Sequence, residues 1–141
     1  MRLIFDPATI HQSRRSSITG VIYYDFGAGR QFPAADWNDF VVVVLNWWIE
    51  ALEQVVGGAE SVNFYFMDGP YWMTAVPEGE DGLLLSCVED RRGAGAIFEV
   101  LVNERDLRRE LMAVARSVSC ACESAGIESA DLNELRTRLR D

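Results

Sequence analysis

The stretch 61-SVNFYFMDGPYWMTAVPEGEDGLLLSCVEDRRGAGAIFEVLV-102 decides the fold class. Ser61 to Met67 alternates, with Val62, Phe64 and Phe66 on one face and Asn63, Tyr65 and Met67 on the other. Period-two alternation is the signal of a half-buried strand. Asp68-Gly69 is a hairpin dipeptide, and Pro70 directly after it lengthens the turn. Tyr71 to Val76 is the returning strand, and Pro77-Glu78-Gly79-Glu80-Asp81-Gly82 is an acidic loop. Leu83 to Glu89 is the third strand, Asp90 to Gly95 the next turn, and Ala96 to Val102 the fourth strand. Short spacings between strands predict an antiparallel meander.

Upstream, Ile18 to Phe26 reads as a strand, Gly27-Ala28-Gly29 as a turn and Arg30-Gln31-Phe32 as a second arm. Met1 to Ser17 is the least regular stretch, with Leu3, Ile4 and Phe5 as a short edge strand before Pro7. Asp36 is the predicted N-cap of a helix from about Trp37 to Val56, with Asp39 three residues on and Gly57-Gly58 as the stop. At about 100° per residue, Trp37, Val41, Val44, Trp48, Leu52 and Val55 form one stripe. Asp39, Asn46, Glu50, Glu53 and Gln54 fall opposite, while Val42, Val43 and Trp47 lie on the flanks.

Downstream, Asn103 caps a second long helix with Asp106 in its first turn, and Leu107, Leu111, Val114, Val118 and Ala121 as its apolar stripe. It ends at Gly126. Ser129 caps a last helix carrying Leu132, Leu135 and Leu139, with Arg136, Arg138 and Arg140 near its C-terminal end. Strands and helices come in blocks, which predicts an α+β domain over 1–141. The expected architecture is an antiparallel sheet, made of an N-terminal hairpin plus a four-stranded meander. Two long helices pack on one face, and a short C-terminal helix follows.

The charge narrows the function classes. The chain has 141 residues, with 22 acidic side chains against 13 basic ones, a net −9. Every basic residue is arginine, and His11 is the single histidine. Arginine without lysine suggests a GC-rich bacterial genome. Such a field repels phosphate backbones and attracts basic partners, so nucleic acid is not the expected ligand. The longest apolar run, Phe40 to Leu45, spans six residues, whereas a membrane helix needs about 20. Met1 to Gln31 carries no long apolar signal region, and the three cysteines are an odd count. The expected compartment is the cytoplasm.

The catalytic and metal motifs are thin. His11 has no neighbouring nucleophile and orienting group, so it reads as a surface residue. Cys120 and Cys122 would point about 200° apart on a helix and lack a second ligand pair. Gly27-x-Gly29 and Gly93-x-Gly95 sit in hairpin turns rather than on strand-to-helix phosphate loops. Asp36 with Asp39, and Glu50 with Glu53, have helical spacing; capping explains the first pair and a solvated face the second. No cofactor or metal is expected.

The stretch 32-FPAADWNDFVVVVLNWWIEAL-52 resembles a pattern in immunity-protein families of bacterial polymorphic and contact-dependent toxin systems. Pro33 follows a strand, Asp36-Trp37 opens a helix, and Trp48 follows about a dozen residues on. The resemblance extends in architecture over Ile18 to Gly126 and transfers no individual residue role. It implies a small non-enzymatic inhibitor bound to a toxin. Acidic composition fits this independently, because complementary charge speeds association and buried anchors slow dissociation.

The expected function is therefore a cytoplasmic binding protein of immunity or antitoxin type, with a basic protein partner. The candidate contact residues are Asp39, Trp47, Glu50 and Glu53 on the first helix, and Glu78, Glu80 and Asp81 in the acidic loop. Trp47 serves either as an interface anchor or as packing against the sheet edge or the N-terminal hairpin. The rival readings are a self-associating subunit, a homodimer pairing through Val42, Val43 and Trp47 or the sheet edge, and a small enzyme built on carboxylates.

Overall fold

A computed structural model describes residues 1–90 and 95–140. The Arg91-Arg92 pair and most of the turn read between Asp90 and Gly95, with the first glycine of Gly93-x-Gly95, lie outside the described residues. The remainder is an α+β fold of two antiparallel four-stranded sheets and three helices.

The meander forms as its alternation dictates. Strands β5 (Val62–Tyr65), β6 (Tyr71–Glu78), β7 (Gly82–Glu89) and β8 (Ala96–Asn103) pair in sequence order. Val62, Phe64, Phe66, Met73, Ala75, Leu83, Leu85 and Cys87 are buried on its inner face. Cross-strand pairs such as Phe64 with Met73 and Leu85 with Val100 hold the register.

The N-terminal strands build a sheet of their own. β2 (Ile18–Asp25) is its centre, paired with β1 (Arg2–Gln12), β3 (Gln31–Phe32) and β4 (Asn38–Asp39). β1 is longer than the expected Leu3-Ile4-Phe5. It runs on past Pro7 to His11 and Gln12, because a shift in register between Asp6 and His11 removes the proline from the ladder. There Asp6 folds the chain locally, accepting from the Ala8 amide at 3.0 Å. The Thr9 hydroxyl in turn accepts from the Val21 amide at 2.8 Å.

The first helix corrects the sequence reading in four ways. α1 (Val41–Val56) starts four residues later than expected, after Phe40, which makes no side-chain cap. Asp36 is not the cap; it sits in a turn at φ 58°. Asn38 and Asp39 are extended, paired with Val21 and Gly20 of β2. The helix is also buried over a much wider arc than one stripe. Val42, Leu45, Asn46, Ile49 and Ala51 are buried together with Val41, Val44, Trp48, Leu52 and Val55. The cause is tertiary: α1 packs against β2, β5 and β6 and against both other helices. A helix walled in on most sides needs apolar residues on most sides.

α2 (Glu104–Ser124) begins at Asn103, whose side chain accepts from the Arg105 and Asp106 amides. It lies along β1, where Glu110 accepts from the Leu3 amide at 3.0 Å. α3 (Ala130–Arg140) is capped by Ser129, which accepts from the Leu132 amide at 3.0 Å. Asn46, expected in solvent, is buried because α3 covers it; its amide donates to the Asp131 carbonyl at 3.0 Å.

One core joins both sheets. Tyr24, Phe26 and Phe32 from the first sheet meet Phe66, Tyr71 and Phe98 of the second, with ring centroids 5.7 to 6.2 Å apart. Trp48 of α1 fills the space between Tyr24 and Phe66. Nearly edge-on ring pairs of this kind add about 0.5–1.5 kcal/mol each beyond their burial.

Candidate functional site

The exposed strip of α1 and the edge strand β5 form an open cleft of about 470 Å³. Trp47, Glu50, Ala51 and Gln54 line one wall, because spacings of three and four residues bring them into one row. Asn63, Tyr65, Phe66 and Met67 line the other. Trp47 is 42% exposed, Tyr65 48% and Met67 49%, so the cleft presents apolar surface to solvent. Glu50 stands on its rim, with Arg138 of α3 at 3.8 Å. Arg138 also pairs with Glu134 of its own helix at 3.1 Å, and its contact with Glu50 ties α3 to the exposed strip of α1.

The strand edge beneath the cleft is closed by α1 and the segment before it. The Phe66 amide donates to Tyr71 of β6. Hydrogen-bonding direction alternates along a strand, so the Tyr65 carbonyl faces the other way. There it accepts from the Trp48 indole at 2.8 Å. One residue pair on, the Met67 amide donates to Asp39 at 3.3 Å.

Asp39 therefore does a different job from the one expected of it. It is 1% exposed and reaches no partner surface. One carboxylate oxygen accepts from the Phe40 and Met67 amides, the other from the Trp37 indole and the Asp68 amide, at 2.7 to 3.3 Å. Trp37 lies over Gly69 of the same turn and packs edge-on against Tyr71, 5.1 Å between centroids. Trp37 and Asp39 thus clamp the β5–β6 turn of one sheet to β4 of the other. Burial raises the Asp39 pKa above the usual carboxylate range, and the four donors offset part of that rise.

The acidic loop lies at the other end of α1. Glu78, Glu80 and Asp81 are exposed, and the Glu104 amide donates to the Asp81 carbonyl at 2.8 Å, fixing the loop to the start of α2. Glu80 lines a second cleft of about 500 Å³ with Glu60 and Glu104, beside the last turn of α1. The negative end of the helix dipole adds to those three carboxylates. The two clefts follow one another along α1, through Gln54 and Val55.

Of the seven candidate contact residues, six are exposed and Asp39 is interior. Trp47 and Glu50 share the first cleft, Glu80 reaches the second, and Glu53 lines neither. Sequence reading missed Tyr65 and Met67, although alternation had already turned them away from the core. It also missed Glu60 and Glu104, which only the packing of β7, α1 and α2 brings beside Glu80.

The other chemical groups are dispersed. His11 is exposed on β1. Asp36 is exposed on its turn and Asp39 is buried, so the two carboxylates face different surroundings. Cys120 is exposed and Cys122 buried, the opposed directions that helical spacing gives. Among the described residues, no three histidine, cysteine, aspartate or glutamate side chains are grouped to hold a metal ion. Among them, too, no helix is long and apolar enough to cross a membrane. Compared with known protein families, curated proteins and solved structures, the chain matches none.

Proposed function

We propose that this chain is a non-enzymatic, cytoplasmic binding protein that covers a basic protein partner, in the manner of an immunity protein neutralising a toxin. One observation carries the reading. On a chain of net charge −9, an apolar cleft walled by Trp47, Tyr65 and Met67 adjoins the carboxylates Glu60, Glu80 and Glu104 along one helix. Long-range attraction by the carboxylates steers a basic partner, and Trp47 supplies the desolvated anchor that slows its release. Glu50, Glu53, Glu78 and Asp81 extend the negative field around both clefts.

The test is capture of partners from the native host with the tagged protein, including the product of the adjacent gene. Recovery of one basic protein, released by high salt, is the expected result. Paired reversal Glu80→Arg with Asp81→Arg should then slow association. Trp47→Ala should speed dissociation, without loss of fold in either variant. Unchanged binding by all of these variants would remove this surface as the contact site. Failure to recover any basic protein would remove the reading itself.

A further inference from the structure

We infer that the outer face of the meander is a second interaction surface, and that its occupant is a second copy of this chain. The inner face of the sheet β5–β8 is covered by α1 and the first sheet, whereas its outer face carries no second layer among the described residues. Trp72, Val76, Leu84, Val88, Ile97 and Leu101 point outward there. Leu84 stands directly opposite Leu101, and Val76 opposite Leu84. Ile97 and Leu101 are 54% and 61% exposed. Core packing does not explain these apolar side chains, because the core lies on the other side of the sheet.

Charge selects the occupant. Among the described residues the face carries charge at Glu78, on a strand end, and at Glu99, opposite Ser86 on the edge strand β8. A basic partner finds little there to complement, although the molecule as a whole is strongly acidic. A face with two carboxylates and a row of apolar side chains instead matches itself across a two-fold axis, with Glu78 hydrated at its strand end and Glu99 reaching past the edge strand β8 into solvent. Area agrees. Three strands of eight residues and one of four, rising about 3.3 Å per residue and spaced about 4.8 Å apart, give a face of roughly 450 Å². Two copies would cover roughly 900 Å², the size of a weak, reversible interface. Sheets packed face to face at about 10 Å are a standard arrangement for such surfaces.

Sedimentation equilibrium of the full chain tests this. The expected result is a reversible dimer that strengthens as salt rises, because salt screens repulsion between two −9 copies. Binding of a basic partner at the α1 clefts must weaken under the same change, so the two surfaces are distinguishable. Leu84→Glu with Leu101→Glu should weaken dimerisation at least ~100-fold, since it buries carboxylates without partners. Thermal unfolding of that monomer should stay close to wild type, and Trp47→Ala should dimerise normally. Ser86, near the centre of the face, gives a second reading that does not depend on the charged variant folding. In a Cys120→Ser background, Ser86→Cys should form a disulfide-linked dimer on mild oxidation. A chain that stays monomeric at every soluble concentration overturns the proposal. So does a dimer untouched by the double glutamate variant that also fails to cross-link at position 86.

Discussion

Replacing Tyr24 by phenylalanine should stabilise the protein. Tyr24 is fully buried, stacked at 6.0 Å on Phe26 and packed at 5.2 Å against Trp48, and its hydroxyl has no hydrogen-bond partner among the described residues. Burial pushes the phenol pKa well above its usual range, and the neighbouring Cys87 thiol pushes in the same direction. The unfolded chain hydrates that hydroxyl, so folding strips it of water and returns nothing. Leaving such a group unsatisfied costs about 1–3 kcal/mol. Removing it leaves a void of roughly 10 Å³, worth about 0.2 kcal/mol at ~24 cal/mol per Å³. Every ring contact survives in Tyr24→Phe, so the net gain should be about 1 kcal/mol or more. For a chain of 141 residues this is a rise of roughly 3 °C in Tm. Urea unfolding and a thermal scan measure it, with an unchanged m-value as the control. Alkaline titration gives a second readout: Tyr24 should stay un-ionised until the wild type unfolds. A loss of about 1 kcal/mol would refute the reasoning, because only a bonded hydroxyl is missed on that scale.

Other expected outcomes concern the clamp, the thiols and a helix cap. Asp39→Asn leaves one oxygen for four donors and turns an amide toward two of them, a loss of about 2–4 kcal/mol by denaturant unfolding. Because the folded-state pKa of Asp39 is raised, its contribution is fullest below the unfolded carboxylate range and is lost as pH rises through the folded value. The difference between wild type and Asp39→Asn should therefore shrink from acid to neutral pH; a difference that grows instead would contradict the raised pKa. Thiol labelling of the native protein should modify Cys120 quickly. Cys122, and Cys87 with its pKa pushed up to about 12 by burial, should react only on unfolding. Asn103→Ala should cost about 1 kcal/mol by uncapping α2, and Asn103→Asp much less.

What the sequence determined by itself was whatever depends on near neighbours. Alternation from Val62 to Phe66 fixed which side chains face the core, because a strand has only two faces. Asn103 and Ser129 were legible as caps, since a cap bonds amides two or three residues away. The helical wheel put Trp47 on a flank, open to an interface or to packing, and the fold leaves it partly exposed. Tertiary structure decided whatever depends on distant residues. Asp36 and Asp39 had the spacing of a helix start, yet Asp39 is held extended by amides from Met67 and Asp68, nearly thirty residues away. Asn46 looked solvated until α3 covered it. Pro7 argued against a long first strand until a register shift removed it from the ladder. Glu60, Glu80 and Glu104 share a cleft only because the β6–β7 loop reaches the point where α1 ends and α2 begins. Local hydrogen bonds and periodicity act within a few residues, so they can be read along the chain. Burial and clustering are set by which segments meet in space, and that is resolved only when the chain has folded.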